Sequence, residues 1–283
     1  MVQISHRAPG IRKPDSPPVG TLRSMRKLLR LDMNVGFARA VLDGKVEGQV
    51  WMSESVGDGA IHAVHPYGMS LVWGDRVDEA FDELIGRLRL GRYRSRHEWL
   101  QIDPRWTALP WEERLTRPEM PGQVRPTVGT RINFAFDSDR FRASHEGAIA
   151  SGDWSIVRAD ASDFARPGSV VPAEFWRDAS QFLEHGGGWR AEKNGTRGAL
   201  AFTSFQFEDE LELGIETAPE ARGQGLATAV ASRMIKDLLD HGLTPVWACR
   251  ADNLASHRLA EKLGFHPVRR LPYYGLAVPD HSA

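Results

Sequence analysis

The chain has one cysteine, Cys249, in 283 residues, which excludes an intrachain disulfide and a cysteine-built zinc cluster. It lacks any apolar run near the ~20 residues that a membrane helix needs, and its first thirty residues carry no apolar core ahead of a small-residue cleavage site. It has no excess of either charge: 36 Lys and Arg stand against 37 Asp and Glu, for a formal net charge of -1. That balance argues against a surface built to neutralise a nucleic-acid backbone. With 41% hydrophobic and 26% charged residues, the expectation is a globular, cytoplasmic protein with no membrane association and no nucleic-acid partner.

The length suits two modest domains. Residues 1–22, rich in proline and basic side chains, read as a flexible tail, because proline fixes φ and donates no N–H. A first α/β unit is expected over 23–127. Its helical pattern starts at Arg23 with a basic face over 23–30, breaks, and resumes at Phe37 to a stop at Gly44. Strands follow at Gln49–Met52, Ile61–His65 and Met69–Trp73, then a helix over Val77–Leu88 with Phe81, Leu84, Ile85 and Leu88 on one face. The arginines at 87, 89, 92, 94 and 96 read as a solvated loop, and 103–130 as a connector rich in Pro, Trp and Arg.

The second unit, 128–283, has a sharper pattern. Strands are expected at Ile132–Phe136, Trp154–Arg158, Trp189–Glu192, Ala199–Phe207, Glu210–Thr217 and Val246–Arg250, with short closing strands at Val268 and Tyr273–Val278. Asn194–Gly195 marks a hairpin turn. Helices are expected over Pro172–Leu183, Gly225–Asp240 and Leu254–Leu263.

The chemistry concentrates in residues 210–228. A strand runs into a glycine-rich turn that opens a helix. The first N–H groups of a helix lack internal partners, and the helix dipole adds partial positive charge there. Gly223 and Gly225 keep side chains out of the way, and Arg222 adds a full charge, which together make a cradle for a pyrophosphate. Neither a Walker loop nor a Rossmann fingerprint fits the spacing.

Arg222-Gly223-Gln224-Gly225-Leu226-Ala227 resembles the Gln/Arg-x-x-Gly-x-Gly/Ala motif of the GNAT superfamily of acyl-CoA-dependent N-acyltransferases. A second motif of that family follows in register from Asn253 through Ser256, Leu259 and Leu263 to Phe265. The likeness covers roughly 150–283, and the whole chain looks like a two-part branch in which an α/β portion precedes the catalytic unit. It implies an α/β fold: a mixed, splayed sheet with helices on both faces, preceded by a smaller α/β domain, which from its position alone is expected to cover one side of the acceptor groove. It also implies acetyl-CoA as cosubstrate, no metal, and direct transfer in a ternary complex to a primary amine of a small molecule, such as an antibiotic or related metabolite. The backbone of Ile215, Glu216 and Thr217 is then expected to pair with the pantetheine arm. The N–H groups from Gly223 through Gln224, Gly225, Leu226 and Ala227 to Thr228 are expected to hold the pyrophosphate beside Arg222. Asn253 and Ser256 face the cofactor from the second helix, although Asn253 also suits a plain helix N-cap and Ser256 a surface hydroxyl.

One position departs from the family. Where many members carry a tyrosine that protonates the departing thiolate, this chain has Ala260. Ser256, Tyr273 and Tyr274 are the remaining hydroxyl candidates, and water could serve instead. For the base, alternation along 210–217 puts Leu211, Leu213 and Ile215 on one face and Glu212 and Glu216 on the other, which in this family faces the acceptor. Either glutamate suits a base or ammonium anchor, and either also suits a solvated strand face or an arginine pair. The missing hydroxyl keeps a non-catalytic acyl-CoA sensor open as an alternative, and protein N-acetylation is another. Homodimerisation is not decided. Cys249 reads as a small apolar strand residue rather than a nucleophile, and Trp176, Trp189 and Trp247 as core fillers. His62 and His65 point to opposite faces of a strand and so do not suit one metal.

Overall fold

The computed structural model describes residues 31–117, 125–145 and 152–279. The proline-rich tail and the basic stretch 23–30 lie outside the described residues.

Alternating apolar positions build one mixed sheet of eleven strands among the described residues, in the order β1-β2-β3-β4-β11-β5-β10-β9-β8-β7-β6. The strands are β1 Gln49–Ser53, β2 Gly57–Val64, β3 Met69–Trp73, β4 Glu98–Ile102, β5 Thr127–Phe136 and β6 Ser155–Arg158. The remainder are β7 Gly188–Lys193, β8 Thr196–Phe207, β9 Glu210–Thr217, β10 Thr244–Arg250 and β11 Phe265–Leu276. The helices are α1 Gly36–Leu42, α2 Phe81–Leu90, α3 Trp111–Thr116, α4 Ser138–His145, α5 Ala179–Glu184, α6 Leu226–Asp240 and α7 Leu254–Lys262.

Three apolar clusters hold the layers together. Leu226, Val230, Met234 and Leu238 recur at spacing four along α6 and pack on Leu211 and Leu213 of β9, with Leu263 and Phe265 beside them. A second cluster joins the two halves of the chain: Phe37, Ile61, Leu71 and Trp73 meet Phe202, Phe205 and Phe207 of β8. A third packs Leu84 and Leu88 of α2 and Trp111 of α3 on Val72, Leu100 and Tyr274. The sheet also crosses between the halves without interruption, because β4 pairs antiparallel with β11 (Gln101 opposite Tyr273).

β10 is where the sheet splays. Its first three residues, Thr244–Val246, pair parallel with Glu210–Glu212, and its last four pair antiparallel with Arg131–Phe134 of β5. Past Glu212, β9 remains paired only with β8. A wedge-shaped opening therefore separates β9 from β10.

Several expectations need correction. The stretch over Pro172–Leu183 is not one helix: a 3-10 turn at Pro172–Glu174 is followed by α5, whose start is set by Asp178 in extended backbone with its carboxylate accepting from Gln181 N. The connector at 103–130 contains a 3-10 turn at Pro104–Trp106, the helix α3, and the start of β5. The two closing strands merge into β11, which absorbs Pro267 through a register shift between Pro267 and Arg269. The arginine run is not all solvated: Arg94 is buried, donating to Glu98, to Leu88 O and to Ala277 O.

Candidate active site

The opening between β9 and β10 widens into a cavity of about 840 Å³. Its floor is the glycine turn. A 3-10 turn at Pro219–Ala221 lifts the chain off β9, and Gly223 and Gly225 then adopt φ of +78° and +76°. Residues with a Cβ rarely enter that region, so glycine is required by the path of the backbone. A Cβ at either position would meet nothing within 4 Å, so the space above the turn is open. Gly225 caps α6 with no side chain of its own, which leaves the first N–H groups of a 15-residue helix directed at that space. This is a site shaped for a bulky anion.

The turn residues differ in what they face. Gly223, Gly225, Leu226 and Ala227 line the cavity with Arg222, whose Nε reaches back 3.4 Å to Thr217 O. The Gln224 side chain is turned aside, donating to Glu220 O and accepting from Trp154 Nε1. Thr228 is buried within the first turn of α6. Across the opening, Asn253 caps α7 by accepting from Ser256 N, so the cap reading of Asn253 holds, and its side chain still borders the cavity. The Ser256 hydroxyl accepts from Trp247 Nε1 at 3.2 Å. Leu259 lines the cavity, whereas Ala260 is fully buried in the core.

On the wall, Ile215, Glu216 and Thr217 present the edge of β9 that β10 has left unpaired. The two glutamates on the other face diverge. Glu216 Oε2 accepts from Ser169 N and Val170 N, at 3.1 and 2.9 Å, and so ties the loop ahead of the 172–174 turn to the strand. Glu212 is 8% exposed. Its Oε1 lies 3.6 Å from the Arg131 guanidinium, and no well-formed hydrogen bond reaches Oε2. Burial pushes its pKa up, against the pull of Arg131 and the Asn34 amide.

Sequence reasoning missed Arg131 and did not identify which residues of the first half of the chain reach the cavity. Tyr67, Met69 and Trp99 complete the wall opposite β9. Trp99 stacks on Tyr273 with ring centres 5.2 Å apart, and the Arg250 guanidinium lies over Trp99. Tyr273 borders the cavity, its phenol pKa raised by burial against the opposing field of Arg131. Tyr274, its neighbour, points away into the third cluster. Cys249 also lines the cavity, but burial raises its thiol pKa, which opposes thiolate formation. Trp247 forms part of the wall, while Trp176 donates to Thr203 O and Trp189 packs in the core. His62 Nε2 is engaged by Glu98 at 2.9 Å. No helix among the described residues is long and apolar enough to cross a membrane.

Comparison with known proteins agrees with this geometry. A family model described as GNAT acetyltransferase matches residues 150–274. A Bacillus subtilis (strain 168) protein named uncharacterized N-acetyltransferase YdfB is 38% identical over 246 residues, spanning 84% of this chain and 89% of that one. Among solved structures, a GCN5-related N-acetyltransferase-like protein from Streptococcus suis 89/1591 shares the fold at a TM-score of 0.65 and 20% identity, covering 90% of this chain and 98% of its own. A tandem GNAT protein from the clavulanic acid biosynthesis pathway shares it at 0.58 and 14%, covering 94% and 98%.

Proposed function

The chain belongs to the GNAT acetyltransferase family, and we propose that it moves the acetyl group of acetyl-CoA directly to a primary amine of a small molecule. The observation that carries this reading is the pair of left-handed glycines before α6, beneath a gap between β9 and β10. The N–H groups of residues 223–228 hold the pyrophosphate, with Arg222 adding charge. The free edge of Ile215–Thr217 takes the amide-bearing arm as an added strand would be taken. Asn253 and Ser256 border that arm from α7.

Glu212 is the base. A buried carboxyl with a raised pKa holds a proton more firmly than an exposed one, which suits it to accept the proton of an ammonium. Glu212 takes one proton from the ammonium, the freed amine nitrogen bonds to the acyl carbon, the carbon–sulfur bond opens with its electron pair on sulfur, and the second proton that the nitrogen sheds goes to the thiolate. Glu216, whose oxygen is already shared by two N–H donors, holds the loop wall in place. The Ser256 side chain borders the cavity, and its hydroxyl hydrogen-bonds the departing thiolate or relays that proton to it. The unit over 23–127 closes the acceptor side through Tyr67, Met69 and Trp99.

Calorimetric titration tests the reading. Acetyl-CoA is expected to bind the wild type with one site. Gly225→Val, which puts a branched side chain into the open space and strains the turn, is expected to weaken binding by about tenfold or more. Unchanged affinity in the variant, or no affinity in the wild type, would overturn the reading.

A further inference from the structure

The acceptor side of the cavity holds a charge pair that is only half made. Arg131 and Glu212 are 7% and 8% exposed, and both line the cavity. Their nearest approach, 3.6 Å, is too long for a hydrogen bond. Arg131 Nε and Glu212 Oε2 make no well-formed hydrogen bond, the Asn34 amide being the other polar group that acts on Glu212. A buried charge with an unfilled hydrogen-bonding position costs free energy, and a ligand that fills both positions recovers it. The required ligand presents a cationic donor to Glu212 and an anionic acceptor to Arg131, a few ångströms apart.

We infer that the acceptor is an α-amino acid with an apolar or aromatic side chain, whose ammonium meets Glu212 and whose carboxylate meets Arg131. An α-amino acid carries both groups on one carbon, the spacing this pair offers. Arg131 is placed to anchor a carboxylate because its planar fork matches that group. The rest of the wall suits an apolar body. The stacked pair Trp99 and Tyr273, and Phe175 packed against Tyr67 and Phe205, give the lining its aromatic surface. A plain alkyl amine would satisfy Glu212 and leave Arg131 unfilled. This inference rests on the proposed transfer from acetyl-CoA and narrows its acceptor.

The test pairs each apolar and aromatic L-amino acid with its decarboxylated amine and with its amide, and measures thiol release from acetyl-CoA. The expected result is a kcat/KM about tenfold or more higher for at least one amino acid than for its amine and its amide. Arg131→Gln is expected to bring that ratio close to one while the affinity for acetyl-CoA holds, and Arg131→Lys to retain part of it. Amines or amides that match or exceed the amino acids overturn the inference. So does an unchanged ratio in Arg131→Gln, or a wild type that binds acetyl-CoA and acylates none of the amino acids; both outcomes leave the cosubstrate reading standing. A wild type with no affinity for acetyl-CoA overturns both.

Discussion

Two glutamates four positions apart on β9 share a face of the strand, yet their surroundings assign them different work. Glu216 spends one oxygen on two backbone N–H groups, and Glu212 sits buried with an oxygen to spare. Glu212→Gln is expected to lower kcat/KM by about 100-fold, since a positioned base contributes on that order. The pH profile sharpens the test. A base works ionised, so wild-type activity should rise with pH through the raised pKa of Glu212 and level above it, and the Gln variant should lose that limb. Glu216→Gln keeps an amide oxygen for the loop N–H groups and should cost only a few-fold. If the two substitutions have the reverse effects, the assignments exchange. Alternation along β9 was enough to put both glutamates on one face. Choosing between them needed residues 46 and 47 positions away in sequence, Val170 and Ser169, which no local pattern ties to Glu216.

Among elements, β9, the glycine turn and α6 were legible because three local signals coincide there: period two, then glycines that must take positive φ, then a spacing-four apolar stripe. β4 was not, because its buried Glu98 breaks the apolar pattern. That carboxylate accepts from His62, Ser70, Tyr93 and Arg94, at 2.6 to 2.9 Å. Burial alone would raise its pKa, but the donors, His62 foremost, outweigh burial and hold it well below the usual carboxylate range. A carboxyl whose pKa falls on folding adds stability above its unfolded pKa and loses it as pH drops toward the folded value. The wild type should therefore lose part of its stability on acidification below the ordinary carboxylate range. Glu98→Ala strands the Arg94 guanidinium in the interior and should cost about 3–5 kcal/mol in denaturant unfolding at neutral pH. That acid-dependent loss should be smaller in the variant. A variant as stable as the wild type would show that Arg94 is balanced by its carbonyl partners at Leu88 and Ala277 alone.

At the scale of the molecule, the cavity belongs to both halves of the chain. β4 covers the edge of β11, and Phe37, Ile61, Leu71 and Trp73 cover a row of phenylalanines on β8. A chain beginning near Arg125 would bare that row and expose β11 as an unprotected edge, the usual route to aggregation. It would also remove Tyr67, Met69 and Trp99 from the acceptor wall while leaving the glycine turn and α7 in place. The expected outcome is a sharp loss of soluble yield. Any soluble fraction should keep its affinity for acetyl-CoA and lose acceptor turnover by about tenfold or more, because the acceptor would no longer be held against the thioester. Full turnover in the shortened chain would mean that the first half packs against the site without shaping it. The sequence pattern could suggest that two units adjoin, but not that one sheet runs through both, since strand pairing across a span such as Gln101 to Tyr273 leaves no periodic mark on either segment.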